Sequence, residues 1–142
     1  MNTIVVGVDG SEGAQHALEF ALAEAKLRHA GVRAVMSWAE PTMVYAGGFV
    51  PPLPPDSEYE AGARKVLDEA LATANGAKDG VAVERIVRKG QAAQVLCDES
   101  KDADLLVVGS RGYGGFHGLL VGSVSQQCAS HAPCPVTIVP KA

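Results

Sequence analysis

Apolar runs and helical stripes alternate along the whole chain. Short apolar runs rich in β-branched residues predict five strands: Thr3 to Val8, Val32 to Trp38, Val81 to Val87, Asp104 to Val108 and Val136 to Val139. Apolar residues at three- and four-residue spacing predict four helices: Ser11 (as N-cap) to about Ala30, Ser57 to about Asn75, Gln91 to about Lys101 and Ser123 to Ser130. This alternation predicts an α/β fold, in which parallel strands are joined by right-handed crossovers and helices cover both faces of the sheet.

The same pattern predicts which strand lies nearer a sheet edge, where the first helix ends, and how many domains the chain forms. The third strand is more polar than the first and is expected nearer a sheet edge, while Gly31 is expected to end the first helix. We find no internal repeat, so residues 1–142 are predicted to form a single domain. Its irregular insert, Ala39 to Pro55, has four prolines between residues 51 and 55. The insert either packs over a site or a partner or is a mobile connection.

A glycine-rich stretch between Val107 and Ser125 has the composition of a phosphate-binding loop. A strand runs into Gly109, a glycine-rich loop follows, and Ser123 with Gln126 has capping-box spacing, which predicts Ser123 as the N-cap of the last helix. Glycines let backbone N–H groups approach an anion, and a helix N-terminus attracts one. The alternative interpretation is a long surface loop that only has to turn.

The spacing of these glycines resembles a known family. Gly109, two residues, Gly112, nine residues and then Gly122-Ser123 is similar to the G-x2-G-x9-G-[ST] signature of the ATP-binding branch of the universal stress protein family. The resemblance extends from IVVGVDGS near the start to CPVTIVP near the end. It implies an open, doubly wound parallel five-stranded sheet of order 3-2-1-4-5, similar to the adenine-nucleotide alpha-hydrolase fold. Ligands of such sheets bind where the order reverses, here at the carboxyl ends of strands 1 and 4.

The resemblance also implies a set of nucleotide-binding residues, which lie at strand ends and in the glycine loop: Val8, Asp9, Trp38, Val108, Gly109, Arg111, Gly112, Gly122, Ser123, Val124 and Ser125. Asp9 would lie by the ribose or a phosphate-bound metal, and Gly122 to Ser125 would hold the β- and γ-phosphates. Three alternatives stay open from the residues themselves. Asp9 can cap the first helix, Trp38 can fill the core, and Arg111 can be a solvated side chain.

The function implied by the resemblance is that of an ATP-binding regulatory or stress-response protein, with Mg²⁺ on the phosphates and no metal ligands from the protein. The sequence lacks a G-x-x-x-x-G-K-[ST] loop, a G-x-S-x-G elbow and a general base near the loop, so slow hydrolysis is expected at most and an enzyme is not predicted. One alternative is that the same pocket binds AMP or cyclic AMP. The other is a nucleotide-independent dimeric interaction module. The resemblance also implies a homodimer through Val136 to Val139, and protein partners are unknown.

Charge and cysteine content narrow the classes of protein and of binding site that remain possible. The net charge of −4 argues against nucleic-acid binding, and no apolar run reaches the length of a membrane span. MNTIVVGVDG lacks a basic region and a cleavage site, so a cytoplasmic protein is expected. The three cysteines, Cys97, Cys128 and Cys134, are expected to be free thiols in small apolar positions. Cys128, His131 and Cys134 do not match known zinc spacings.

Overall fold

The computed structural model describes residues 2–40, 52–110 and 122–140. Within them, strands and helices alternate in the order expected from the sequence. They are β1 (Thr3–Gly7), α1 (Glu12–Arg28), β2 (Gly31–Trp38), α2 (Asp56–Thr73), β3 (Val83–Lys89), α3 (Ala92–Glu99), β4 (Leu105–Gly109), α4 (Ser123–His131) and β5 (Val136–Val139).

The strands form one five-stranded sheet of order β3-β2-β1-β4-β5, and every neighbouring pair is parallel. This confirms the predicted fold class and strand order. It also confirms that β3 lies at an edge, which its more polar sequence indicated. Because β1 pairs with β2 on one side and β4 on the other, the order reverses between β1 and β4.

Helices cover both faces of the sheet, since alternate side chains of the central strands enter two separate cores. Ile4 and Val6 belong to the larger core, which includes the buried residues of α1 and α2. Val5 belongs to the smaller one, which contains Val95 and Leu96 of α3 and Cys128 of α4. Burial on both faces explains why β1 and β4 have continuous apolar sequences.

Several element boundaries differ by one or two residues from the sequence-based expectation, among them the end of α1 and the start of β3. The α1 helix ends at His29, which adopts a left-handed conformation (φ 55°) and donates its backbone N–H to the Ala25 carbonyl. Gly31, expected to end that helix, is instead the first residue of β2. The β3 strand starts at Val83, two residues late, because the Val81 amide donates to the Lys78 carbonyl in a preceding turn.

The proline-rich insert is described at its two ends. Residues 39–40 follow β2, and residues 52–55 lead into α2, for which Pro55 occupies the N-cap position. The expectations for residues 41–51 lie outside the described part of the chain. No helix in the described ranges is both long and apolar enough to cross a membrane.

Candidate functional site

The loop after β1 is held by the side chains that the sequence singled out. The Asp9 carboxylate accepts a hydrogen bond from the Ser11 amide at 2.8 Å, and the Ser11 hydroxyl accepts one from the Ala14 amide at 3.2 Å. Ser11 is therefore the N-cap of α1, as predicted, and Asp9 fixes the turn that precedes it. The loop thus places the first turn of α1 beside the end of β1.

The end of β4 contacts that same first turn of α1. A Cβ atom built on Gly109 would lie 2.8 Å from both the backbone carbon and the carbonyl oxygen of Gly13. Real Cβ contacts are not that short, so the approach of β4 to α1 requires glycine at position 109. Val8 and Val108 are 5% and 3% exposed, so their side chains belong to the cores. Only their backbones are available to a ligand.

The first turn of α4 is attached to the same place. The Gly122 amide donates to the Ser110 carbonyl at 2.7 Å, and the Ser125 hydroxyl donates to the Gly109 carbonyl at 2.5 Å. The Ser110 amide donates in turn to the Val139 carbonyl at 2.9 Å. These bonds fix the N-terminus of α4 against the ends of β4 and β5. We call the residues Asp9, Gly13, Gly109, Ser110, Gly122 and Ser125 the glycine junction.

Two serines of α4 have different environments from those expected. Ser123 was predicted to be the N-cap, but Gly122 has that position and Ser123 is the first helical residue. Glycine has no side chain to cap the helix, so the first-turn amides of α4 lack a capping oxygen at this position. Ser123 and Val124 are exposed, whereas Ser125 is 2% exposed. The Ser125 hydroxyl thus supports the backbone of Gly109.

A second group of residues lies at the carboxyl ends of β2 and β3. The Trp38 indole is stacked on the Tyr59 ring, with centroids 5.5 Å apart and an interplanar angle of 10°, and Lys89 Nζ lies 5.5 Å from the indole centroid. Lys89 Nζ is 3.2 Å from Glu40 Oε1 and 3.1 Å from Asp56 Oδ2. We call these five residues the aromatic clasp.

The charged side chains of the aromatic clasp pair with one another. The hydrogen bond from Lys89 lowers the pKa of Asp56, and the bonds to Asp56 and Glu40 raise the pKa of Lys89. The Trp38 carbonyl accepts a hydrogen bond from the Gly90 amide at 2.8 Å. The indole is therefore engaged with protein side chains, which fits the packing role that the sequence left open for it.

The structure thus brings together most of the predicted residues. Val8, Asp9, Val108, Gly109 and the range 122–125 meet at the point where the strand order reverses, and Trp38 lies at the next strand end. Arg111 and Gly112 lie outside the described residues, as does the rest of the glycine-rich segment up to residue 121. Gly13 and Lys89 were not anticipated. A glycine in the first turn of a helix was a usable signal for Gly13, because it costs helix stability unless something packs close.

Comparison with known proteins identifies the family. The model of the universal stress protein family matches residues 1–140. The chain belongs to the universal stress protein family. It is 38% identical over 137 residues to a universal stress protein of Mycolicibacterium smegmatis, an alignment covering 96% of this chain and 45% of that protein. The chain spans about half the length of the curated relatives it matches.

Solved structures show the same fold. A universal stress protein in complex with cyclic AMP has a TM-score of 0.71 and 27% identity, and the match covers 97% of this chain and 95% of that one. The universal stress protein from Archaeoglobus fulgidus in complex with dAMP has a TM-score of 0.71 and 25% identity, with 98% of both chains covered.

Proposed function

We propose that this protein binds an adenine nucleotide at the glycine junction. The observation that carries the proposal is the convergence of two helix N-termini, those of α1 and α4, on Gly109 at the reversal of strand order. Helix N-termini attract anions through their unpaired amides and their dipole, and open α/β sheets bind ligands at this point. Relatives of the same fold bind cyclic AMP and dAMP.

Within this proposal the ligand is ATP, with Mg²⁺ on its phosphates. The exposed first turn of α4, from Gly122 through Val124, would receive the β- and γ-phosphates on its backbone amides. Asp9 would lie towards the ribose or the metal ion. Its carboxylate keeps an oxygen beyond the one that Ser11 occupies. The protein supplies no metal ligand set of its own in this scheme. Arg111 and Gly112 keep their predicted role beside the phosphates.

The residues around Trp38, at the end of β2, would form the wall of the nucleotide site beside the adenine base. The Trp38 indole is engaged with Tyr59 and Lys89, so base recognition there would use the backbone next to Trp38 rather than a stacked indole. AMP and cyclic AMP share the adenosine part of ATP and are the competing ligands. Calorimetry across ATP, AMP and cyclic AMP ranks them directly.

We further propose that the bound nucleotide acts as a signal and is at most slowly hydrolysed. The side chains at the glycine junction are small or already bonded to backbone, and the only carboxylate among them, Asp9, is used to hold the turn before α1. A regulatory or stress-response role follows, in which nucleotide binding changes a surface that partners recognise. Phosphate release from ATP at a rate typical of metabolic enzymes would contradict it.

The first experiment measures the nucleotide content of freshly purified protein. The protein is denatured, the supernatant is separated by nucleotide chromatography, and Mg-ATP binding to nucleotide-free protein is followed by calorimetry. We expect binding to be lost in Gly122→Leu, because a side chain at the α4 N-cap would occupy the space before the first-turn amides. Gly76→Leu is the matched control, since nothing lies within 4 Å of a Cβ there. Equal Mg-ATP affinity in Gly122→Leu and wild type would overturn the proposed site.

We also propose a homodimer through β5. All four residues of this edge strand, Val136–Val139, are half-buried in the single chain, and one side of the strand has no partner strand among the described residues. A second copy could cover it by strand addition. Light scattering at micromolar concentration is the test, and a monomer would refute the proposal.

A further inference from the structure

The smaller core brings the three cysteines of the chain into one region. On α3, Ala93, Cys97 and Ser100 follow one helical stripe, with Ala93 4% and Ser100 0% exposed. Cys128, on α4, is fully buried in the same core. The two helices pack on each other, and Cys134, just before β5, packs against the core that contains Cys128. Positions far apart in sequence thus share one site.

Cys97 is the member of the group that lines a groove. Cys97 and Cys134 are both half-buried, and the groove at Cys97, of about 420 Å³, lies between α3 and α4. The groove is also lined by Gln127 and His131, which flank Cys128 on the α4 side, and by Lys101 from the end of α3. Solvent and small molecules therefore reach the Cys97 sulfur from the side on which Cys128 lies beneath the surface.

The chemistry of the other two thiols is different. Burial raises the pKa of Cys128 to about 12, and its thiol also interacts with that of Cys97. Burial raises the pKa of Cys134 as well, although a hydrogen bond with Ser100 opposes the change. Thiolates, not thiols, attack oxidants, so the raised pKa of Cys128 and of Cys134 makes neither thiol suited to react first. Cys128 is placed to react second, with an oxidised Cys97.

We propose that Cys97 and Cys128 form an oxidative modification site, at which a small hydroperoxide converts the pair into a disulfide between α3 and α4. The Cys97 thiolate attacks the peroxide O–O bond, forming a sulfenic acid and releasing the alcohol, or water when the oxidant is hydrogen peroxide. The Cys128 sulfur then displaces the sulfenic oxygen. The S–S bond forms, the S–O bond breaks, and the oxygen leaves as water with the proton of the Cys128 thiol. The pair loses two electrons, which reduce the peroxide.

The disulfide would have a consequence at the other end of α4. This helix begins at the glycine junction, so a covalent bond from Cys128 to α3 would restrain the turn that receives phosphates. We therefore expect oxidised and reduced protein to differ in nucleotide affinity. This consequence rests on the proposed function, whereas the disulfide itself does not.

The experiment treats the full chain with hydrogen peroxide and counts free thiols with a chromogenic disulfide reagent after unfolding. The reduced protein has three free thiols. We expect one to remain after oxidation, an intact mass lower by two hydrogens, and a linked peptide containing Cys97 and Cys128 in a non-reducing digest. A dithiol reductant should restore all three thiols.

Cysteine variants identify which two sulfurs form the disulfide. Cys97→Ser and Cys128→Ala should each abolish the intramolecular link, and Cys134→Ser should retain it. Because Cys128 is buried, the fold of Cys128→Ala is checked by circular dichroism, and Cys97→Ser gives the same answer at a half-buried position that lines the groove. An unchanged thiol count, a Cys97–Cys134 link, a disulfide between chains, or Cys97 oxidised to sulfinic acid would each overturn the proposal. None of these readouts requires nucleotide, so failure of nucleotide binding leaves them interpretable.

Discussion

The two halves of the carboxyl edge of the sheet are formed by different types of residue. At the ends of β1 and β4, the glycine junction consists of glycines, serines and backbone hydrogen bonds, and its one charged side chain holds a turn. At the ends of β2 and β3, the aromatic clasp consists of large aromatic and charged side chains that contact one another. The edge is continuous, yet the two halves have little chemistry in common.

The difference indicates which half serves the ligand. Small residues at the glycine junction allow α1 and α4 to approach β4, and the first-turn amides of α4, which has no side-chain cap, are left for an anion. In the aromatic clasp, the charges are paired and the indole is stacked, so the group mainly joins α2 to the sheet. Changes in the glycine junction should therefore affect nucleotide affinity and stability together, and changes in the clasp should affect stability alone.

Gly109→Ala should have the largest effect. The new Cβ would meet backbone atoms of Gly13 at 2.8 Å, so β4 and α1 must separate. Because backbone cannot give way as a flexible side chain does, we expect a loss of about 3 kcal/mol in unfolding free energy and loss of measurable nucleotide binding. Urea denaturation and calorimetry measure the two quantities.

The matched control for that substitution is Gly62→Ala. Gly62 lies inside α2 with nothing within 4 Å of its Cβ position, so alanine should stabilise the helix by about 1 kcal/mol and leave binding unchanged. A Gly109→Ala protein as stable as wild type would mean that the approach of β4 to α1 is not tight.

Ser125→Ala should have the next largest effect. It removes the hydrogen bond to the Gly109 carbonyl and leaves that acceptor without its partner in a buried place, at a cost of about 1–2 kcal/mol. Because the bond positions the α4 N-terminus, which would receive the β- and γ-phosphates, ATP affinity should fall about tenfold while adenosine affinity stays the same. Ser125→Thr, which keeps the hydroxyl, should restore ATP binding.

Ser123→Ala is the control that separates the positioning role of Ser125 from the general effect of losing a serine in the first turn of α4. Ser123 is exposed and is the first residue of α4, so its loss should change stability little. Equal losses of adenosine and ATP affinity in Ser125→Ala would show that Ser125 does not act through the phosphate end of the site.

Tyr59→Leu tests the other half of the comparison. Loss of the stacking with Trp38 should lower the unfolding free energy by about 1 kcal/mol, while nucleotide affinity stays within about twofold of wild type. Trp38 is the only tryptophan, so its fluorescence reports the altered stacking directly. A large loss of affinity in this variant would assign the aromatic clasp to the ligand site.

The sequence predicted the fold better than it predicted the details of the site. The two-sided arrangement followed from the alternation of strands and helices, because apolar periodicity depends on local spacing, whereas the strand order was what the family resemblance implied. The N-cap of α1 at Ser11 was also local and was confirmed. Ser123 was assigned wrongly as a cap, because its capping-box spacing did not reveal that Gly122 would bond to Ser110 and start the helix one residue earlier.

Contacts between distant segments were the part that no local pattern could supply. The approach of Gly109 to Gly13, the bond from Ser125 to Gly109, and the convergence of Cys97 with Cys128 all join residues from different elements. The position of Lys89 over Trp38 is of the same kind. Such contacts depend on how the helices of the crossovers pack on the sheet. No regular spacing along a single sequence predicts them.

Lys89→Met should have the smallest effect, and its pH dependence identifies its origin. The pKa of Asp56 is lowered by Lys89, so its contribution is present above the ordinary carboxylate pKa and is lost as pH falls through the lowered value. The pKa of Lys89 is raised, so its contribution is present below the ordinary lysine pKa and is lost as pH rises through the raised value. Wild type should therefore exceed Lys89→Met in melting temperature by about 2 °C between about pH 5 and pH 9, and by less in acid.

Lys101→Met is the control for Lys89→Met. The Lys101 side chain is 75% exposed, and its Nζ lies 3.9 Å from Asp98 Oδ1, so it forms only a weak ion pair with a residue three positions earlier. The melting temperature of Lys101→Met should match that of wild type at every pH. High salt should reduce the Lys89→Met difference, since exposed charges are screened. If the difference instead persisted at pH 2 and in molar salt, the contact of the lysine ammonium with the Trp38 ring, rather than its ion pairs with Asp56 and Glu40, would stabilise the clasp. In both cases nucleotide affinity should stay at the wild-type value, because the stabilising contacts of this half of the edge are made within the protein itself.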